Sequence, residues 1–260
     1  ARADAGARPI AARTAILVCI RNEDPAGAFR AVTRLMEGLE RAGGRDHFHA
    51  FILSDTDRAD VAAAEAAEAA LLEARFPATY RRRTSNEGFK AGNIRDFCLR
   101  WGGEYDFMVT LDTDSIMAPD AILRLVRIME ANPRFGIVQT LVAGMPSTSL
   151  FARLFQFGMR LGMRSYTLGS SAWQADCGPY WGHNAIIRIA PFTEHCTLPT
   201  LPGDGPLSGA VAQPASARPE RAKPAPSRRR RDRSVWFVSC SLLMAWLLIS
   251  WAAGQRSSRR

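Results

Sequence analysis

Residues 14–20, Thr-Ala-Ile-Leu-Val-Cys-Ile, run without any alternation of apolar and polar side chains. A strand of that kind has both faces buried, as a central strand does in a parallel sheet covered by helices on both sides. Two further runs repeat the pattern, at 48–53 and 107–111, and each of the three stops at polar residues: Arg21-Asn22-Glu23-Asp24-Pro25, Ser54-Asp55 and Asp112-Thr113-Asp114. Helical patterns lie between them. One reaches about residue 42, with apolar Phe29, Val32, Leu35, Met36 and Leu39. A second, at 59–75, is rich in Ala, Glu and Leu, a third spans 91–101, and a fourth runs from Pro119, near a first turn where proline is tolerated, to about Ala131. Short strands are expected at 79–83 and 136–140. The alternation predicts an α/β fold, Rossmann-like, with a mostly parallel sheet flanked by helices.

The net charge of +9 suggests a nucleic-acid partner until it is mapped. Residues 1–209 balance 23 Lys+Arg against 23 Asp+Glu, whereas residues 210–260 carry 11 against 2. The excess is therefore a property of the tail, and nucleic acid is excluded as the partner of the main domain. The five cysteines are odd in number and form no C-x-x-C pair, which argues against a disulfide framework or a structural zinc site. His47, His49 and His195 lack metal-ligand spacing. Residues 1–13 read as a linker, 14–209 as the α/β domain, 210–234 as a disordered basic linker rich in Pro, Ala and Arg, 235–253 as a candidate transmembrane helix, and 254–260 as a basic tail. The heavier basic flank precedes 235–253, which places the domain on the cytoplasmic side.

Two carboxylates one residue apart, Asp112 and Asp114, close the third apolar run, and open α/β sheets bind ligands at that edge. Such a pair suits a divalent cation, Mg²⁺ or Mn²⁺, bridging protein to a diphosphate; the competing reading is a solvated acidic turn. Asp55 follows the second run and is placed to accept hydrogen bonds from a base or ribose, or else to cap a helix or an Asx turn. Asn22 and Glu23 end the first run at the same edge. Lys90 and Asn93 open a predicted helix, whose N-terminus favours anions, while Arg81-Arg82-Arg83 is either part of that site or a solvated face. Tyr180, Trp181, Gly182, His183 and Asn184 form an aromatic and glycine segment suited to a sugar-binding wall, or to core packing.

With those residues in place, 14–209 resembles the family-2 glycosyltransferases of GT-A fold, and among them the bacterial inner-membrane synthases of osmoregulated periplasmic glucans. Residues 22–24, 51–55, 80–83, 90–97, 111–115, 129–133 and 180–188 carry the resemblance, and 191–192, 194–196 and 201–203 continue it. It implies UDP-glucose as donor, a growing β-glucan as acceptor, and an inverting transfer. Asp55, Lys90, Asn93, Asp112 and Asp114 would face the donor, Asp112 and Asp114 its metal, and Tyr180 to Asn184 the acceptor. The family's general base, an Asp in a later motif, has no counterpart here; Asp232 and Trp236 sit in the wrong surroundings. The GT-A domain is thus expected to be incomplete, with sequence after about residue 209 arising from a frameshift or rearrangement; the competing reading is a real tail with one anchoring helix at 235–253. The alternative function is a nucleotide-sugar-binding fragment without catalysis.

Overall fold

A computed structural model describes residues 9–174 and 180–196. In chain order the elements are β1 (Thr14–Ile20), α1 (Pro25–Arg41), β2 (Phe48–Ser54), α2 (Ala59–Glu73), β3 (Ala78–Arg82), α3 (Phe89–Trp101), β4 (Phe107–Asp112), α4 (Pro119–Ala131), β5 (Ile137–Gln139), α5 (Leu150–Gln174), β6 (Ala185–Arg188) and α6 (Ile189–His195). The strands form one sheet in the order β3-β2-β1-β4-β6-β5. β3, β2, β1 and β4 pair in parallel, and β6 runs antiparallel to both β4 and β5.

Both faces of the central strands are covered, as their unbroken apolar character requires. On one face Ile16, Val18, Ala50, Ile52, Phe107 and Val109 pack against α1, α2 and α4. On the other Leu17, Phe51, Leu53 and Met108 pack against Ile94, Phe97 and Cys98 of α3, with Tyr105 and Ile189 completing the cluster. α1 buries Phe29, Val32, Leu35, Met36 and Leu39, the stripe its sequence marks, and starts where the Asp24 carboxylate accepts from the Gly27 N–H at 3.0 Å, with Pro25 in the first turn. Each such buried side chain contributes about 1.5–3 kcal/mol.

The structure departs from the sequence reading at several places. α3 begins at Phe89, two residues early, because Gly88 and Phe89 both take positive φ (66° and 51°) and wind the entering loop tightly. β6 and α5 carry no expectation. β6 is only four residues long, too short for a periodic signal to separate strand from helix. The segment before β1 is docked: the Ala11 and Ala12 N–H groups both donate to Glu130 Oε1 at 2.8 Å, and Arg13 N–H donates to Asp106 Oδ2 at 2.9 Å. Among the described residues no helix is long and apolar enough to cross a membrane. The expectations for 210–234, 235–253 and 254–260, and the last part of the domain assigned to 14–209, lie outside the described residues.

Candidate functional site

Parallel strands deliver their C-terminal ends to one edge of the sheet. Ile20 stands opposite Ser54, and Cys19 opposite Asp112, so the loops holding Asn22, Asp55 and Asp112 emerge side by side. β6 brings a fourth segment there by running the other way: Ala185 pairs with Thr110, which sets Asn184 and the residues before it at the same edge. Backbone strain collects at this edge. The positive-φ residues other than glycine among those described are Asn22 (54°), Phe89 (51°) and Asn184 (53°), at the end of β1, the start of α3 and the start of β6. A bulky residue such as Phe89 takes that conformation only where its surroundings impose it, and such strain clusters at functional sites.

Asp55 is held from both sides of the sheet. Its carboxylate accepts two hydrogen bonds from Arg83, Nε at 2.7 Å and Nη2 at 2.8 Å, a bidentate pair whose side chains are 7% and 11% exposed. With its amide turned to satisfy both neighbours, Asn86 donates to Asp55 Oδ2 at 3.0 Å and accepts from Arg21 at 2.8 Å. Arg83 also donates to the carbonyls of Glu87 and Phe89, at 2.9 and 3.0 Å, which closes the α3 loop around it. That loop packs so closely that a Cβ on Gly92 would lie 2.0 Å from the Glu87 carbonyl oxygen, so only glycine fits there. From the opposite face, Glu65 of α2 accepts from Ser54 Oγ at 2.6 Å, Thr56 Oγ1 at 2.5 Å and Tyr80 Oη at 2.9 Å. Both neighbours of Asp55 are thereby tied to one buried carboxylate. Thr56 Oγ1 in turn accepts the Asn22 N–H at 2.9 Å, joining the ends of β1 and β2. Burial and the Glu65 carboxylate push the Tyr80 phenol up to about 12.

Asp112 is more open, its side chain 38% exposed, and pairs with Lys90 Nζ. Phe89 and Lys90 are consecutive, so the start of α3 contacts both carboxylate sites, the first through Arg83 and the second directly. Between them lies Cys19, whose thiol burial pushes up to about 11, so it stays protonated. Thr113 Oγ1 donates to the Cys19 carbonyl at 3.2 Å, and Asp114 projects into solvent. Glu23 stands across from this turn. Although its surface is exposed, its carboxyl is crowded by protein. Its pKa is raised by desolvation first, a Thr113 hydrogen bond opposes this, and the charges of Asp114 and Asp112 add to it.

Asn93 is fully buried rather than lining an open wall. Its Nδ2 donates to the Leu53 carbonyl at 3.0 Å, and its Oδ1 has no hydrogen-bond partner among the described residues. Arg81 is buried beside it, donating to the Asn93 carbonyl at 3.2 Å and paired with Asp96 at 3.2 Å; burial lowers its pKa, with Asp96 opposing. In the 180–184 segment, Tyr180 Oη shares a hydrogen bond with Thr110 Oγ1 at 2.6 Å, and Trp181, 36% exposed, donates its backbone N–H to Gln139 Oε1 at 2.8 Å. Gly182 has φ 92°, and His183 keeps Nδ1 buried without a partner among the described residues. Asn184 donates N–H to the Thr110 carbonyl at 2.8 Å and accepts from Thr140 through its own carbonyl, a structural tie between β4, β5 and β6.

The sequence reading missed Glu65 and Asn86. Glu65 looks like one more acidic residue in an Ala/Glu-rich helix; the signal available was that Ser54, Thr56 and Tyr80 all carry hydroxyls around the end of β2. As a cation site, Asp112 and Asp114 offer hard oxygen donors at an accessible turn, and the ammonium on Asp112 shows that this carboxylate attracts positive charge. Among the described residues no group of three or more His, Cys, Asp and Glu is placed to hold a metal. Two carboxylates fit Mg²⁺, which takes one or two and completes its shell with phosphate and water.

Comparison with known proteins identifies the family. The model of the family described as glycosyl transferase family 2 matches residues 15–196. The glucans biosynthesis glucosyltransferase H of Pseudomonas paraeruginosa is 44% identical over 215 residues, 80% of this chain and 25% of that protein. The protein of the same name from Pseudomonas entomophila is 45% identical over the same extent. The chain thus spans about a quarter of the length of the curated relatives it matches. Among solved structures, residues 1–349 of S. aureus TarS align with a TM-score of 0.44 and 11% identity, covering 72% of this chain and 50% of that one. With its family model matched over most of its length, the chain belongs to glycosyl transferase family 2.

Proposed function

We propose that this domain binds UDP-glucose across the C-terminal edge of the sheet and takes part in transferring glucose to a growing β-glucan, in the synthesis of osmoregulated periplasmic glucans. One observation carries the reading. Asp55 and Asp112 end strands that flank β1, two strand spacings apart, about 10 Å. That separation suits a ligand whose nucleoside lies at one carboxylate and whose diphosphate lies at the other. Asp55, fixed by Arg83 and the Glu65 network, keeps about one accepting site for the uridine, since a carboxylate accepts at about four and Arg83 and Asn86 take three. Asp112 and Asp114 would hold Mg²⁺ or Mn²⁺, which when bound stabilises the departing diphosphate as a Lewis acid. Lys90, freed from Asp112, adds a cationic donor for the phosphate oxygens. Tyr180 to Asn184, delivered by β6 beside Thr110, border the acceptor.

Transfer is inverting: an acceptor hydroxyl attacks the anomeric carbon, the bond from that carbon to the diphosphate oxygen breaks on the opposite face, and a general base outside the residues assigned here takes the hydroxyl proton. The site works at a bacterial inner membrane, with the domain on the cytoplasmic side.

The test is calorimetric titration of the chain with UDP, with and without Mg²⁺ or Mn²⁺, followed by turnover of radiolabelled UDP-glucose with a β-glucan primer. Metal-dependent UDP binding with label transferred to primer supports the full reading. Binding without transfer supports the second reading, a nucleotide-sugar-binding domain without catalysis. Absence of UDP binding with either metal overturns both.

A further inference from the structure

α5 is built unlike the other helices among the described residues. Its 25 residues bury no side chain, although it carries many of the largest apolar residues in the chain. The half-buried residues Ala152, Gln156, Met159, Met163, Thr167 and Ser170 recur at spacings of three and four, so they form one stripe, and it is composed mostly of small and polar side chains. The large apolar residues face away from it. The nine exposed large apolar residues of the helix, among them Leu150, Phe151, Phe157, Tyr166 and Trp173, are each at least 61% exposed and fall within about 180° of the helix circumference. Arg153, Arg160 and Arg164 are also exposed and cluster within about 40° along one border of that apolar arc. From residue 135 to residue 174 the sequence holds no Asp, Glu or Lys. An exposed apolar patch of this extent marks an interaction surface. A row of arginines beside it, with no acidic residue between 135 and 174 to balance them, selects a partner that is apolar in depth and anionic at its surface.

We infer that α5 lies flat in the interface of an anionic lipid bilayer, with its aromatic and leucine arc among the acyl chains and its three arginines at the headgroup phosphates. The helix has the features of an interfacial segment: an aromatic-rich apolar arc, an arginine row, and no span long and apolar enough to cross. Its position gives the contact a consequence. α5 is part of the excursion between Gln139 of β5 and Tyr180, both at the ligand edge, so docking holds the Tyr180–Asn184 side of the site against the membrane. The inference rests on α5 alone and stands whether or not the domain transfers sugar.

The experiment reads α5 locally, because residues 235–253 are apolar enough to hold the chain on lipid by themselves. Amide hydrogen exchange is measured on the full chain alone, with phosphatidylcholine vesicles, and with vesicles that also contain phosphatidylglycerol. The expected result is slowed exchange across 150–174 with the anionic vesicles. The preference for anionic over neutral lipid should be roughly a hundredfold in the lipid concentration required, from three arginines near a charged surface. R153Q/R160Q/R164Q abolishes that preference, and L154E/L161E abolishes the slowing on any lipid, while exchange in β1 and β4 stays unchanged in both and reports an intact fold. Exchange in α5 that ignores anionic vesicles overturns the inference, even if the chain sediments with them. So does slowing without lipid that grows with protein concentration, which would make a second copy the occupant, or an anionic preference that survives loss of the arginines.

Discussion

Asp55 and Asp112 end two strands of one sheet at one edge, yet they sit in opposite environments. Asp55 is almost wholly enclosed, gripped by a bidentate guanidinium and an amide, and its neighbours are pinned from the far face by Glu65. Asp112 is more than a third exposed and has one flexible ammonium as its partner. The difference separates two tasks. An enclosed carboxylate with fixed partners offers a ligand a rigid acceptor at no further ordering cost. An open carboxylate with a detachable partner can exchange that partner for a metal ion and a diphosphate.

The largest effect expected from this contrast is on folding. Asp55→Ala leaves the buried Arg83 guanidinium without its counter-ion, with only the Glu87 and Phe89 carbonyls to accept from it, and breaking a buried pair in that way costs about 3–5 kcal/mol. Asp112→Asn removes an exposed contact worth at most about 1 kcal/mol. Urea denaturation of the two variants should therefore separate them widely. Equal losses of stability would break the distinction between an enclosed and an open carboxylate.

Ligand binding should rank some variants in the reverse order. Asp112→Asn and Asp114→Asn are expected to weaken UDP binding in the presence of Mg²⁺ by roughly tenfold to a hundredfold, the value of one charge-assisted contact, and to change metal-free binding little. Titration with and without metal decides it. Equal weakening under both conditions would mean that these residues touch the nucleotide without a cation between them.

Much of this edge is legible in the sequence, and the unread part has a physical cause. The runs at 14–20, 48–53 and 107–111 announce buried parallel strands because both faces are apolar, and an acidic residue closing two of them marks the ligand edge. What the sequence hides are partnerships between distant residues. Arg83 could equally have been a solvated basic residue; only the left-handed turn at Gly88 and Phe89 brings the loop carbonyls around it, fixing it on Asp55. Glu65 is eleven residues from Ser54, and its role depends on α2 packing under β2 and β3. The reversed direction of β6, which brings 180–184 to the edge, is set by pairing with β4 and has no local signature. Residues 150–174, where apolar and arginine positions segregate at helical spacing, held an amphipathic pattern in plain view.

A smaller effect probes how far the grip on Asp55 extends. Glu65→Gln keeps the volume but turns one of two accepting oxygens into a donor that faces hydroxyls already donating to it. Weakening one charge-assisted bond costs about 1 kcal/mol. UDP affinity should fall with the metal dependence unchanged, because Glu65 acts through the backbone on either side of Asp55 and has no contact with the Asp112 turn. A change in metal dependence would show that the two carboxylate sites are coupled rather than separate.

The smallest effect concerns charge balance. At Asp55 the negative charge is matched by Arg83; around Asp112 and Asp114 it is not, and Glu23 records the imbalance in its raised pKa, for which crowding by protein is the leading cause and the two aspartates add. The sign follows from linkage. A carboxyl whose folded pKa lies above its unfolded value of about 4.5 contributes most to stability when protonated, below 4.5, and that contribution is lost as the pH rises through the folded pKa. Glu23→Gln should therefore be more stable than the parent chain at neutral pH, and the difference should vanish below pH 4.5 in denaturation curves run across that interval. Adding Mg²⁺ at neutral pH should shrink the same difference, because a cation at Asp112 and Asp114 neutralises the charges that raise Glu23. A difference that Mg²⁺ leaves untouched would mean that the crowding of Glu23 is purely steric, and the contrast between a balanced and an unbalanced carboxylate site would fail at its second half.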